Sequence, residues 1–187
     1  MADAVLVAEG LGVRTRRGWV FRDVDLAVGE GAFVTLDGAA GSGRTSLLLA
    51  LAGHFKTTEG TVRRSATGAL GYVAGVHEPE PGLSVVEHVE ERLVLLGHAS
   101  WSPRKRRRQA LERLGDVPLR PQTLGRDLDP LGRHLLCLAL AKVNEPGIVF
   151  ADDVDGGLSE VEQRALVEAL KETGAAVVVT AREEVAA

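Results

Sequence analysis

The 187-residue chain holds a single cysteine, Cys137. That excludes a disulfide framework within the chain and suits a reducing compartment. It has no surplus of positive charge: 22 Lys and Arg against 26 Asp and Glu leave a formal net charge of −4. A dedicated nucleic-acid binder normally carries a basic excess. There is no long apolar run either, since stretches such as "LLCLALA" fall far short of the roughly 18 residues that span a bilayer. The opening "MADAVLVAEG" has no basic segment leading into a long apolar one, so no secretory signal is expected. His54, His77, His88, His98 and His134 show no metal-ligand spacing, and no repeat or low-complexity tract is evident. These absences leave one domain with a sizeable core, expected in the cytoplasm and reaching a membrane only through a partner.

Strand and helix signals alternate along the chain. "VLVAEGLGVRT" and "GWVFRDVDLAV" read as short strands joined around "RRG", and "GAFVTLDG" reads as a buried strand. A helix over "RTSLLLALAGH" packs its leucines inward and is ended by Gly53. "GTVRRSATGALGYVAG" reads as strand, Gly-containing turn and strand, a short hairpin between Gly60 and Gly71. Ser84 and Glu87 form a capping box ahead of "VVEHVEERLVLLG". Ser102 and Pro103 open a helix over "RKRRRQALERLG". A third helix spans about "PLGRHLLCLALAKV". "GIVFADD" is an apolar strand ending in two carboxylates, Ser159 and Glu162 cap "EVEQRALVEALKETG", and "AAVVVTA" is a last buried strand. Strands alternating with helices predict a parallel sheet in an α/β domain with a helical insertion.

The chemistry concentrates in "GAAGSGRTS", Gly38 to Ser46. Against G-x-x-x-x-G-K-(S/T), Gly38, Gly43 and Thr45 fall in register and Arg44 stands at the lysine. Backbone N–H groups from Ala40 through Gly41, Ser42, Gly43 and Arg44 to Thr45 can cradle phosphate at a helix N-terminus. Thr45 is the candidate Mg²⁺ ligand, with Asp152 at the end of the apolar strand holding the ion's water shell.

In this order the segments resemble the nucleotide-binding domain of an ABC transporter, from "GLGVRTRRGWVFRDVDLAVGEGAFVTLDGAAGSGRTSLLLALAG" to "VVVTAREEVAA". The resemblance implies an α/β P-loop NTPase fold in one domain over residues 1–187. It would have a mainly parallel sheet, a small N-terminal antiparallel β part and a helical subdomain over about 84–142. It also implies bound ATP and Mg²⁺, a membrane-spanning transport subunit as partner, pairing with a like or different ABC subunit, and a place at the inner face of the plasma membrane through that partner.

Most of the family's chemical positions are changed. In "GYVAGVHEP" Gly75 stands where a glutamine would bridge Mg²⁺ to the transport subunit. "LDPLGRHLLCLALA" takes the place of the LSGGQ signature and its helix. Asp129 there brings a carboxylate to a phosphate-facing position, Pro130 lacks an N–H, and Leu131 adds bulk where glycine permits close approach. In "IVFADDVDGGLS" Asp152 keeps the metal-side carboxylate and Asp153 stands, one methylene short, at the catalytic glutamate. Val154 replaces a proline and Ser159 the D-loop aspartate. In "VVVTAR" Ala181 takes the place of the switch histidine. The expectation is an ABC-type ATP-binding subunit that binds Mg-nucleotide weakly and turns it over slowly. The alternatives are a non-catalytic pseudo-ATPase that regulates a partner, and a soluble ABC ATPase acting on nucleic acid, which the acidic balance disfavours. Trp19 is the candidate adenine-stacking aromatic, although the family's position falls nearer Thr15. "RKRRRQ" reads as a solvated helix face, with a nucleic-acid or lipid-headgroup patch as the alternative. Cys137, on an apolar helix, reads as buried packing.

Overall fold

Three apolar clusters organise residues 4–182, the part of the chain that the computed structural model describes; residues 183–187, the end of the stretch quoted above, lie outside it. The N-terminal part is antiparallel. Strands β1 (Ala4–Thr15) and β2 (Gly18–Gly29) form a hairpin closing at Thr15 opposite Gly18, and β4 (Glu59–Arg64) pairs on the other edge of β1. The second sheet is parallel, in the order β3 (Phe33–Leu36), β7 (Ala176–Thr180), β6 (Ile148–Ala151), β5 (Gly68–Leu70).

Strand alternation builds a core on each face of the parallel sheet. Ile148, Phe150, Ala176 and Val178 face one way. They meet Leu48, Leu49 and Leu51 of α1 (Arg44–Ala52), which in turn cover Leu6, Leu11 and Val28 of the antiparallel sheet. Val149, Ala151, Val177 and Val179 face the other way, onto α4 (Pro130–Lys142) and Leu166 and Leu170 of α5 (Glu160–Lys171). Strands buried on both faces read as continuous apolar runs, as "IVFA" and "VVVT" do.

The insertion is built from α2 (Val85–Leu95), α3 (Pro103–Leu114) and part of α4. Val85, Val86, Val89 and Leu93 of α2 pack with Ala110 and Leu114 of α3 and with Leu136, Ala139 and Leu140 of α4. Leu135 and Leu138 of that same helix point to the sheet. A helix that must bury two sides is apolar nearly all round, and this one carries the insertion's orientation into the sheet.

One expectation fails. The segment between Gly60 and Gly71 is not a hairpin: β4 joins the antiparallel sheet beside β1, and β5 joins the parallel sheet beside β6. The intervening Ser65–Thr67 turn carries the chain from one sheet to the other, because each strand finds a better-buried partner far away in sequence than its neighbour.

Candidate functional site

Three chain segments converge at the C-terminal ends of β3, β6 and β7, the edge where open parallel sheets place their ligands. After β3 the chain turns through Gly38, Ala39, Ala40, Gly41 and Ser42 and enters α1 with Gly43 as N-cap. Gly43 has φ +88°, and a Cβ there would collide with the Val20 carbonyl of the hairpin, so both conformation and space require glycine. No side chain caps this helix. The first N–H groups of Arg44, Thr45 and Ser46 are therefore left for an external acceptor, at the positive end of the helix dipole. The expected strand–loop–helix cradle is in place.

Opposite it, a chain of hydroxyls and carboxylates ties the strands together. Asp152 is buried, and its N–H donates to the Tyr72 carbonyl at 2.9 Å. The Thr45 hydroxyl lies 3.0 and 2.9 Å from its two carboxylate oxygens. The Thr180 hydroxyl donates to Oδ1 of Asp152 at 2.5 Å and accepts from the Asp153 N–H at 2.8 Å. Sequence reading missed Thr180; the only signal was its place beside Ala181 at the end of a buried strand. A hydroxyl and a carboxylate, both hard oxygen donors, the carboxylate braced by Thr180, suit Mg²⁺. Thr45 and Asp152 would hold that ion, which would supply charge neutralisation for phosphate oxygens.

The remaining perimeter residues turn to the protein itself. The Arg44 guanidinium donates to the Ala181 carbonyl, 137 residues away. The positions of the family's loop lysine and switch histidine thus meet each other. Asp153 has φ +49° and its carboxylate folds over Gly156, where a Cβ would strike it. Burial raises its pKa above the usual carboxylate range, and the neighbouring Asp155 adds to the rise. Gly75 donates its N–H to Glu78 at 2.6 Å within a tight turn closed between Val73 and His77. His77 accepts from Arg92 at Nε2 (3.0 Å), so its Nδ1–H donates to the Gly71 carbonyl at 2.7 Å. Burial, with Arg92 beside it, holds its pKa below the usual value.

Asp129, at the signature's serine, is the N-cap of α4: its Oδ1 accepts from the Gly132 N–H at 2.6 Å, with Pro130 in the first turn. Trp19 lies partly exposed on the hairpin, its ring 5.4 Å from the Arg14 guanidinium carbon, one residue from the Val20 carbonyl that abuts Gly43. Cys137 is buried and its thiol pKa is pushed up to about 12 by that burial, which agrees with packing.

With this geometry in view, comparison with known proteins decides the family. The family model described as ABC transporter matches residues 21–155. The chain belongs to the ABC transporter family. A lipoprotein-releasing system ATP-binding protein LolD 2 of Caulobacter vibrioides is 31% identical, over 96% of this chain and 88% of that one. The LolD of Alcanivorax borkumensis is also 31% identical, over 75% and 68%. The aliphatic sulfonates import ATP-binding protein SsuB 1 of Rhodococcus jostii is 29% identical, over 87% and 64%. Among solved structures, the ATP-binding cassette MJ0796, dimeric and bound to ADP and Pi, superposes with a TM-score of 0.78 at 24% identity, covering 95% of this chain and 88% of that one. The P-loop NTPase fold of an ABC cassette is established by these likenesses together with the antiparallel and parallel sheets described above.

Proposed function

We propose that this chain is the ATP-binding subunit of a membrane transport or export complex, and that it holds Mg-ATP weakly and turns it over slowly if at all. The observation that carries the second part is the Arg44–Ala181 hydrogen bond. In the resemblance drawn above, the two positions address the phosphates from opposite sides; here the one cation is bound to a carbonyl and the other position is a methyl group. Asp153, folded onto Gly156, is a poor match for a residue that must orient an attacking water at ångström accuracy. The retained Thr45–Asp152 pair and the open N-terminus of α1 support binding. The partners are a membrane-spanning subunit and a second ABC subunit, alike or different, at the cytoplasmic face. Relatives named as ATP-binding proteins of lipoprotein-releasing and sulfonate-import systems favour such a complex.

A second reading, a pseudo-ATPase that acts through its surface, is favoured by the same Arg44 bond, since nucleotide has to displace it. Titration of the purified chain with Mg-ATP, with turnover followed in parallel, separates the two. Saturable binding with negligible turnover supports the first reading. No binding at millimolar Mg-ATP supports the second, and turnover at ordinary enzyme rates, in protein freed of contaminating ATPase, overturns both.

A further inference from the structure

The tip of the α2–α3 hairpin has a composition unlike the rest of the molecule. Residues 84–115 carry seven basic and four acidic side chains, a surplus of +3, so the remainder of a chain of net charge −4 carries −7. Between Gly97 and Leu111 there is no acid at all, and five consecutive cations run from Arg104 to Arg108. Two of them face inward, where Arg106 and Arg107 both meet Glu90 at 3.6 and 3.4 Å; Arg108 pairs with Glu112 at 3.0 Å. Arg104 and Lys105 are exposed and make no ion pair among the described residues. Three and four residues before them stands Trp101, 99% exposed, and the end of α2 contributes Val94 and Leu95, 53% and 74% exposed. An indole left wholly in water, in the connection between the exposed aliphatic end of α2 and the unpaired cations that open α3, has no role in this fold's packing.

We propose that this tip docks on the surface of an anionic lipid bilayer. Tryptophan seats at the headgroup level, where one part of its ring is apolar and its N–H stays wet. Basic side chains next to it are drawn to anionic headgroups. The distribution of charge favours a bilayer over a nucleic acid. A flat surface touches only the +3 tip, whereas a polyanion that wraps a protein would meet the −7 body. The only acids on the hairpin are Glu87, held in its capping box, Glu90 and Glu112, held by arginines, and Glu91. No helix of the described chain is long and apolar enough to cross a membrane, so the contact is peripheral. The inference rests on the hairpin alone and holds whether or not nucleotide is turned over.

The test is co-sedimentation of the nucleotide-free full chain with extruded vesicles, either phosphatidylcholine alone or equimolar phosphatidylcholine and phosphatidylglycerol. Binding to the anionic vesicles alone, weakening as salt rises, is the expected result. Arg104→Gln with Lys105→Gln lowers that binding about 25-fold, at about fivefold for each basic residue. Trp101→Ala also lowers it, and in a Trp19→Phe background Trp101 emission shifts to the blue on binding. Arg16→Gln with Arg17→Gln, an equal loss of exposed charge in the β1–β2 turn, leaves it unchanged. No binding, equal binding to both vesicle types, equal loss in the two charge variants, or tighter binding to RNA or duplex DNA than to anionic vesicles overturns the proposal.

Discussion

Asp129→Ser separates two roles that a single carboxylate combines in this chain. As the N-cap of α4 it accepts from the Gly132 N–H. As the residue at the signature's serine it would put a negative charge near the γ-phosphate held by a second subunit. Serine caps about as well as aspartate, so only the favourable carboxylate–dipole term is lost, and stability changes by less than about 1 kcal/mol. The electrostatic gain is larger. One charge pair removed at about 4 Å is worth about 1 kcal/mol at the dielectric of water and about 4 kcal/mol near 20. Asp129 is exposed in the monomer and would be covered if a second subunit closed on it, so the gain lies between those limits. ATP-dependent dimerisation is therefore expected to strengthen between about fivefold and about a thousandfold, most at low salt. Adding Pro130→Gly restores an N–H donor at the cost of the first-turn proline, and increases the gain further. Sedimentation velocity with and without Mg-ATP, across a salt series, measures it, with thermal melting as the check on folding. If the two proteins melt alike and dimerise alike, Asp129 does not face phosphate. If the unaltered chain already dimerises tightly with Mg-ATP, the signature grips in spite of its changes and the reasoning is wrong.

Three other perturbations follow from the same geometry. Arg44→Lys gives up the guanidinium hydrogen bond to the Ala181 carbonyl and frees the cation for phosphate, so Mg-ATP affinity should rise several-fold in calorimetry while turnover stays near its starting level. Thr180→Val removes the hydroxyl that bridges Asp152 and the Asp153 N–H, leaving buried polar groups short of a partner; a loss of about 1–3 kcal/mol in denaturant unfolding and weaker Mg²⁺ dependence of nucleotide binding are expected. His134 is buried against Tyr72 and its pKa is lowered to about 4 by that burial. The folded state thus binds fewer protons than the unfolded chain, and stability is lost as pH falls from the unfolded value near 6.5 towards 4, by up to about 3 kcal/mol. His134→Gln should flatten that part of the melting-temperature profile, and an unchanged slope would show that another group governs it.

What could be read from sequence divides by the range of the interactions. Capping is local, so the starts of α2 and α5 were legible from Ser84–Glu87 and Ser159–Glu162, and both boxes form. Gly53, with φ +81°, ends α1 as expected. The phosphate loop was legible because its glycines, its strand and its helix are contiguous. Sheet membership was not. The chain from Glu59 to Leu70 reads as a hairpin by composition, yet its two strands pair with Val7 and Val149, residues remote in sequence. The Arg44 bond and the Thr180 bridge were illegible for the same reason, since each joins positions more than a hundred residues or about thirty residues apart.

The substitutions around the loop share a physical consequence that their separate chemistries do not suggest. Three altered positions have acquired a hydrogen-bond partner inside the protein: Arg44 the Ala181 carbonyl, the Gly75 N–H the Glu78 carboxylate, and Asp129 the Gly132 N–H. A ligand that needs one of these groups must first break its internal bond, at about 0.5–1.5 kcal/mol for each. That lowers affinity by up to about tenfold per bond. By contrast, the free N–H groups of α1 need no such exchange. The Thr45–Asp152–Thr180 chain requires only that one hydroxyl turn from a carboxylate to a cation. The cost of binding would therefore fall on the groups that would address the reacting phosphate and spare those that would hold the rest of the nucleotide. This asymmetry supports a subunit that retains a nucleotide seat while its catalytic perimeter stays closed on itself.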